Sequence, residues 1–183
     1  MGKKRGPWTV EGSELKYRHE LLEVYEDKVV RPNGEPGVYA FARVKPGVAV
    51  LAVDDENFAY LVSEFRYAVG RESVEVVGGA IDEGEAEVEA ARRELKEELG
   101  IEASELTPLG TVDPITSMID SPSHLFLARG LTFGETEREG GETISTVKLK
   151  LEEAARRALS GDITHGASCT LILRARDFLS GES

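Results

Sequence analysis

A chain of 183 residues with 40% apolar and 31% charged side chains carries enough apolar sequence to bury a core within one ordinary globular domain. Its formal net charge of −12 excludes a strong general affinity for a nucleic-acid backbone or an anionic membrane, both of which would repel it. A single cysteine, Cys169, excludes an intrachain disulfide and fits a reducing compartment.

The first seven residues, Met1-Gly2-Lys3-Lys4-Arg5-Gly6-Pro7, are basic, but no apolar run follows that would make a signal peptide or a membrane helix. The expected location is cytoplasmic. Gly6 stands where an N-myristoylation signal needs Ser or Thr. Residues 17–30 mix β-branched, aromatic and charged types, and Arg31-Pro32-Asn33-Gly34 forms a turn before Val38-Tyr39-Ala40-Phe41-Ala42, so an N-terminal β-hairpin is expected.

The continuous apolar run 48–53 reads as a strand covered on both faces, followed by a turn at 54–57 and a strand over 58–62. Residues 75–77 read as a short strand ending at Gly78-Gly79, after which residues 80–84 form a loop. Val88, Ala91, Leu95 and Leu99 then recur at helical spacing, and Gly100 is placed to stop that helix. Strands are expected over 109–112, 125–128 and 143–149, and helices over 151–159 and 165–178. Alternating strands and helices without a repeat or linker give an α/β layered domain. Cys169 falls in an apolar helical stretch, where a buried thiol is the ordinary reading rather than a nucleophile.

Chemistry concentrates on the helix that follows Gly84. Glu94, Glu97 and Glu98 are spaced three and four residues apart, so they share one surface of a helix. Like charges so placed destabilise a helix unless something positive sits among them, and converging carboxylate oxygens are what Mg²⁺ or Mn²⁺ requires. A solvated helix face is the plain alternative for any charge run.

The frame around these glutamates decides the matter. From Gly79 the chain runs through Glu85, Arg93-Glu94-Leu95, Glu97-Glu98 and Gly100-Ile101, and this spacing resembles the signature of the Nudix hydrolases. The resemblance implies an α/β/α sandwich with a mixed sheet and an extra N-terminal antiparallel hairpin or sheet. Residues 1–45 would form that extension and 46–183 the hydrolase domain. It further implies metal ligands at Glu94, Glu98 and the main chain of Gly78, with catalytic roles for Glu97 and Glu98. Glu85 and Arg93 would brace the loop and orient the metal carboxylates.

Beyond the signature, Leu61-Val62-Ser63-Glu64-Phe65-Arg66-Tyr67 and Glu75-Val76-Val77-Gly78-Gly79 are similar to segments of the branch that cleaves ADP-ribose and nucleotide sugars. By that likeness Arg66 would bind substrate phosphate, in keeping with the suitability of guanidinium for phosphate. The catalytic base would come from the acidic loop 133–142, with Glu142 at the matching position and Glu139 in reserve. The N-terminal sheet would be exchanged in a homodimer. Residues 116–124 lack the glycine and glutamate common in this branch, and Asp120 or Ser121 would have to substitute. His124 is given no catalytic role. Tyr17, Tyr25 and Phe41 are read as hairpin core.

The expected reaction is therefore Mg²⁺-dependent, with Mn²⁺ as a possible substitute, and hydrolyses ADP-ribose or a related nucleoside diphosphate sugar to a nucleoside monophosphate and a sugar phosphate. The expected partner is that small molecule rather than a nucleic acid or a membrane. Two alternatives stay open: the same chemistry on nucleoside triphosphates, dinucleoside polyphosphates or capped RNA, and a non-catalytic binding module.

Overall fold

The computed structural model describes residues 2–136 and 144–181. The described chain divides into two compact units, one formed by Met1–Lys45 with Asp113–Pro122, the other by Pro46–Val112 with Ser123–Ser183.

The larger unit is built on β5 (Gly47–Val53), whose six valines, alanines and leucine after Gly47 are all buried. Side chains alternate across a strand, so Val48, Val50 and Ala52 enter one core while Ala49, Leu51 and Val53 enter another. A run buried on both faces must have a layer on each side. On the first side lies α1 (Glu87–Leu99), which contributes Ala90, Ala91, Leu95 and Leu99. On the second lie α2 (Leu151–Ser160) and α3 (Gly166–Gly181), which contribute Ala154, Ala155, Leu171, Ile172 and Ala175. Burying a side chain such as Leu95 or Leu171 contributes about 1.5–3 kcal/mol, so these faces hold the helices in place. The result is the expected α/β/α sandwich.

Between the helices runs a seven-stranded sheet. Its main path is β12 (Ser145–Lys150), β6 (Phe58–Arg66), β5, β11 (Ser123–Phe133) and β9 (Ile101–Val112), with β7 (Arg71–Glu75) on β6 and β8 (Val77–Ala80) on β5. β5 and β11 are parallel and their neighbours antiparallel, so the sheet is mixed, as expected. The turn between β5 and β6 is closed by Asp54, whose side chain accepts from the amides of Glu56 and Phe58.

Two boundaries differ from expectation in a way that matters for the site. Gly78 and Gly79 do not end a strand but lie inside β8, where they pair with Ala49 and Val48. The glycines are required there by close approach: a Cβ on Gly78 would fall 2.8 Å from the Val48 carbonyl oxygen. β9 and β11 are also longer than their apolar centres, because their outer halves are paired yet exposed on alternate positions.

The smaller unit is more than the expected hairpin. Four antiparallel strands, β1 (Lys3–Arg5), β2 (Trp8–Arg18), β3 (Leu22–Val30) and β4 (Pro36–Val44), form a sheet that β10 (Ile119–Asp120) joins in parallel beside β4. The β3–β4 pair is the hairpin anticipated around Arg31 and Gly34. β2 escaped sequence reading because eight of its eleven residues are exposed, so no buried face writes a pattern of period two. Tyr17, expected in the core, is exposed for the same reason, while Tyr25 and Phe41 stack at 5.5 Å. Among the described residues no helix is long and apolar enough to cross a membrane.

Candidate active site

β8, the following turn and α1 build the acidic site. Asp82, Glu83 and Gly84 form the turn, and Glu85 closes it twice: its amide donates to the Asp82 carbonyl, and its carboxylate accepts from the Asp82 amide at 3.0 Å. α1 starts without a side-chain cap, but Glu87 and Glu89 in its first turn suit the positive end of the helix dipole. It stops at Gly100, which adopts a left-handed conformation with φ 64°. A Cβ there would also meet the Gly134 carbonyl oxygen at 2.6 Å, so this position demands glycine twice over.

Arg93 is the centre of the charge cluster. Its guanidinium donates to both oxygens of Glu85 at 2.9 and 3.0 Å, to the Ala80 carbonyl at 3.0 Å, to Glu94 at 2.7 Å and to Glu97 at 3.2 Å. One planar fork thus ties the end of β8, the turn and two successive faces of α1 into a single unit. The Glu85 carboxyl is held below its ordinary pKa by Arg93, and Arg93 is driven further toward permanent charge chiefly by Glu85. This is the bracing arrangement that the sequence resemblance implies for these two residues.

Glu94 is the most enclosed of the three carboxylates that Arg93 holds, with a side chain only 12% exposed. Burial raises its pKa, and Arg93 only partly offsets that. Its carboxylate lies against the backbone of β8, filling the space a Cβ on Gly79 would need, since that atom would sit 1.9 Å from Oε1. Gly79 is therefore a cradle for Glu94. Glu97 is more exposed and shares Arg93 with Glu94. One oxygen of Glu98 is shut off from solvent, and the charge of Glu98 is felt by Arg66.

Among the described residues no three His, Cys, Asp or Glu side chains converge as a ready-made metal cage. Mg²⁺ does not need one, since it commonly takes one or two carboxylates and completes its shell with water and substrate oxygens. An enclosed carboxylate pressed onto a glycine backbone, with a second acidic residue one turn along the helix, is a hard-oxygen set that fits such an ion.

Arg66 ends β6 and is half-buried between two carboxylates, Glu64 at 2.6 Å and Glu75 at 2.8 Å. Burial works against its charge, but Glu75, then Glu64 and Glu98, outweigh that and raise its pKa. The supports of Arg66 were not recognised from sequence. Glu75 also meets His165 at 3.5 Å, and His165 contacts the Ser168 hydroxyl, which in turn accepts from the Val76 amide. A buried glutamate held by residues some ninety positions away leaves no local signal in the sequence.

Other candidates separate from this cluster. Asp120 is ion-paired with Arg43 at 3.4 Å in the smaller unit. His124 lies near Thr111 and Glu87, on β11. The Cys169 thiol donates to the Ile163 carbonyl, and burial pushes its pKa up, which is the inert thiol expected. Glu139 and Glu142 lie outside the described residues.

A mixed sheet between helices, with a glycine-cradled acidic helix locked by a half-buried arginine, defines the class of the nucleotide-diphosphate-type hydrolytic unit that the sequence resembles. The chain belongs to the NUDIX domain family, whose model matches residues 43–165. It is 32% identical over 146 residues to the ADP-ribose pyrophosphatase of Bacillus subtilis (strain 168), covering 79% of each chain. It is 30% identical over 177 residues to the ADP compounds hydrolase NudE of Escherichia coli (strain K12), covering 96% of this chain and 87% of that protein. A crystal structure of an ADP compounds hydrolase superimposes with a TM-score of 0.83 at 26% identity, covering 99% of this chain and 98% of the other.

Proposed function

We propose that the protein hydrolyses the diphosphate of ADP-ribose or a related nucleoside diphosphate sugar, releasing a nucleoside monophosphate and a sugar phosphate. The observation that carries this reading is the Glu94 carboxylate seated on Gly79 and fixed by Arg93. Two relatives named for hydrolysis of ADP-ribose or ADP compounds, both matched over most of the chain, supply the substrate class.

Glu94 and Glu98, with the Gly78 carbonyl, would hold Mg²⁺, or Mn²⁺ in its place. The cation supplies neutralisation of the diphosphate charge and electrophilic activation of phosphorus. The protein's own groups do the rest. Arg93 keeps Glu94 and Glu97 turned to one point, so little reorganisation is needed when charge develops. Arg66, already aligned by Glu64 and Glu75, presents its guanidinium edge to a substrate phosphate. Glu142 takes the proton from the attacking water, with Glu97 and Glu98 assisting, and Glu139 is the second choice as base. Water adds to one phosphorus, the bridging P–O bond breaks, and the departing phosphate leaves as the second product. The sheet of the smaller unit would be exchanged between subunits of a homodimer, and the enzyme would work in the cytoplasm.

The test is release of nucleoside monophosphate from a panel of ADP-ribose, ADP-glucose, GDP-mannose, diadenosine polyphosphates and nucleoside triphosphates, with Mg²⁺ and with chelator. Cleavage of the diphosphate sugars that chelator abolishes is the expected result. Cleavage confined to triphosphates would overturn the substrate, and cleavage of nothing would overturn the enzymatic reading.

A further inference from the structure

The sheet of the larger unit is split, and the split lets one helix layer reach the face that the other covers. β5 pairs with β6 only where Ala52 meets Tyr60 and Val53 meets Ala59. Beyond that point β7 stays with β6, while β8 pairs with β5. Val76 stands where the partner changes and falls outside both ladders. Its amide donates instead to the Ser168 hydroxyl of α3 at 3.0 Å. A buried amide without an acceptor is costly, which accounts for a fully buried serine among Leu171, Ile172 and Ala175 on the inner side of α3.

The same gap brings His165 to Glu75. Alternation along β6 puts Val62 and Arg66 on the face that α1 covers, and Glu75, paired with Val62, lies on that face too. His165 comes from the other layer, immediately before α3. Its Nδ1 is 2.8 Å from Ser168 Oγ and 3.5 Å from Glu75 Oε2. Arg66 donates to that same Glu75 oxygen at 2.8 Å. One carboxylate oxygen therefore stands between guanidinium and imidazole. A lone pair on Nδ1 would face this anion, so the tautomer with hydrogen on Nδ1 is favoured. Ser168, fixed from Val76, sets the ring, the ring sets the carboxylate, and the carboxylate sets Arg66.

We propose that His165 and Ser168 are positioning residues for the hydrolytic reaction: acting through Glu75 from the far side of the sheet, they aim the Arg66 guanidinium at a substrate phosphate. This rests on the role given to Arg66 above. Neither residue needs to touch substrate, so losing the His165 contact weakens binding and spares the chemical step.

The test falls on His165, whose side chain is 44% exposed and tolerates replacement, because Ser168→Ala would strand the Val76 amide and disturb the fold as well. The full-length protein is labelled with ¹⁵N, and the Arg66 Nε–Hε resonance is identified by its loss in Arg66→Lys. In His165→Leu, which cannot donate, the order parameter of that bond should fall by roughly a third, from rigid toward mobile. In His165→Asn, whose amide places an N–H near the position of Nδ1, it should recover. The same proteins are then assayed on ADP-ribose with Mg²⁺. KM should rise roughly tenfold in His165→Leu, the equivalent of one hydrogen bond to a charged group, with kcat kept within about twofold. His165→Asn should bring KM back. Thr164→Val removes a neighbouring hydrogen bond, from Arg71 at 2.9 Å, and should change neither reading. Arg66 order that is unchanged in His165→Leu, or lowered alike by Thr164→Val, would overturn the proposal, as would an unchanged KM or a fall in kcat alone. If the wild-type protein hydrolyses nothing in the panel, the functional reading fails by itself, and the Arg66 resonance still decides whether His165 holds it.

Discussion

Glu94 and Gly79 are complementary surfaces: the carboxylate of one occupies the volume that any side chain on the other would fill. Gly79→Ala should therefore act on activity rather than on folding. A carboxylate at the end of a flexible side chain can swing away, so the backbone of β8 need not move and the melting temperature should change by only a few degrees. The displaced carboxylate can no longer serve the ion, and turnover should fall by roughly 100-fold or more. Steady-state turnover measured beside thermal unfolding checks this, and wild-type turnover would refute the cradle.

Glu98→Gln tests the metal assignment without changing shape. The residue is one turn from Glu94 on the half-buried side of α1. Replacing one charged oxygen by an amide nitrogen should reduce kcat by about 10²–10³-fold, the scale on which charge-stabilising groups act, while circular dichroism stays the same. Calorimetric titration with Mn²⁺ should show weakened binding in parallel. A variant that turns over normally would remove Glu98 from the site.

Glu85 and Arg93 are eight residues apart in sequence and joined by two hydrogen bonds of 2.9 and 3.0 Å. Their coupling is measurable as a double-mutant cycle with Glu85→Gln and Arg93→Lys. Lysine keeps the charge but cannot reach both oxygens of Glu85 and the Ala80 carbonyl together. Each single change should cost about 1–3 kcal/mol of stability, and the double should cost less than their sum by roughly 1–2 kcal/mol. Strict additivity in urea unfolding would show that the fork holds nothing together.

The parts of this molecule that were legible beforehand are those in which one short stretch of sequence carries the whole signal. β5 could be read because burial on both faces writes an unbroken apolar run, and α1 because its buried stripe, its acidic face and Gly100 fall within one helix. Arg93 and Glu85 were legible for the same reason, being on one turn and one helix. What was missed depends on distant partners. β2 has little buried surface and therefore no periodicity, and β10 is a two-residue strand defined only by pairing with β4. The hold of Glu75 on Arg66 depends on His165 and Ser168, supplied by α3 and the residue before it. Even Gly78 and Gly79 were read as the end of a strand, since glycine in sequence marks a turn as readily as a close approach.

Glu75 offers a pH test independent of any metal. It is 7% exposed, and burial alone would raise its pKa. The hydrogen bond from Arg66, another from Ser73 and the charges of His165 and Arg66 reverse that, so its pKa in the folded protein lies below the ordinary 4.5. A carboxyl whose pKa is depressed by folding stabilises the fold at any pH above its unfolded value, and that contribution is lost as the pH falls through the folded value. At neutral pH Glu75→Gln should therefore cost about 1–3 kcal/mol, the scale of a buried hydrogen bond to a charged group. As the pH falls through the folded value, which lies below 4.5, the native glutamate becomes protonated and the two proteins should converge, because both then present a neutral side chain to Arg66. Urea unfolding followed from neutral pH down into the acid range below 4.5 reads the difference directly. A gap that stays constant with pH would mean that Glu75 acts through shape, and that Arg66 is not aligned by its charge.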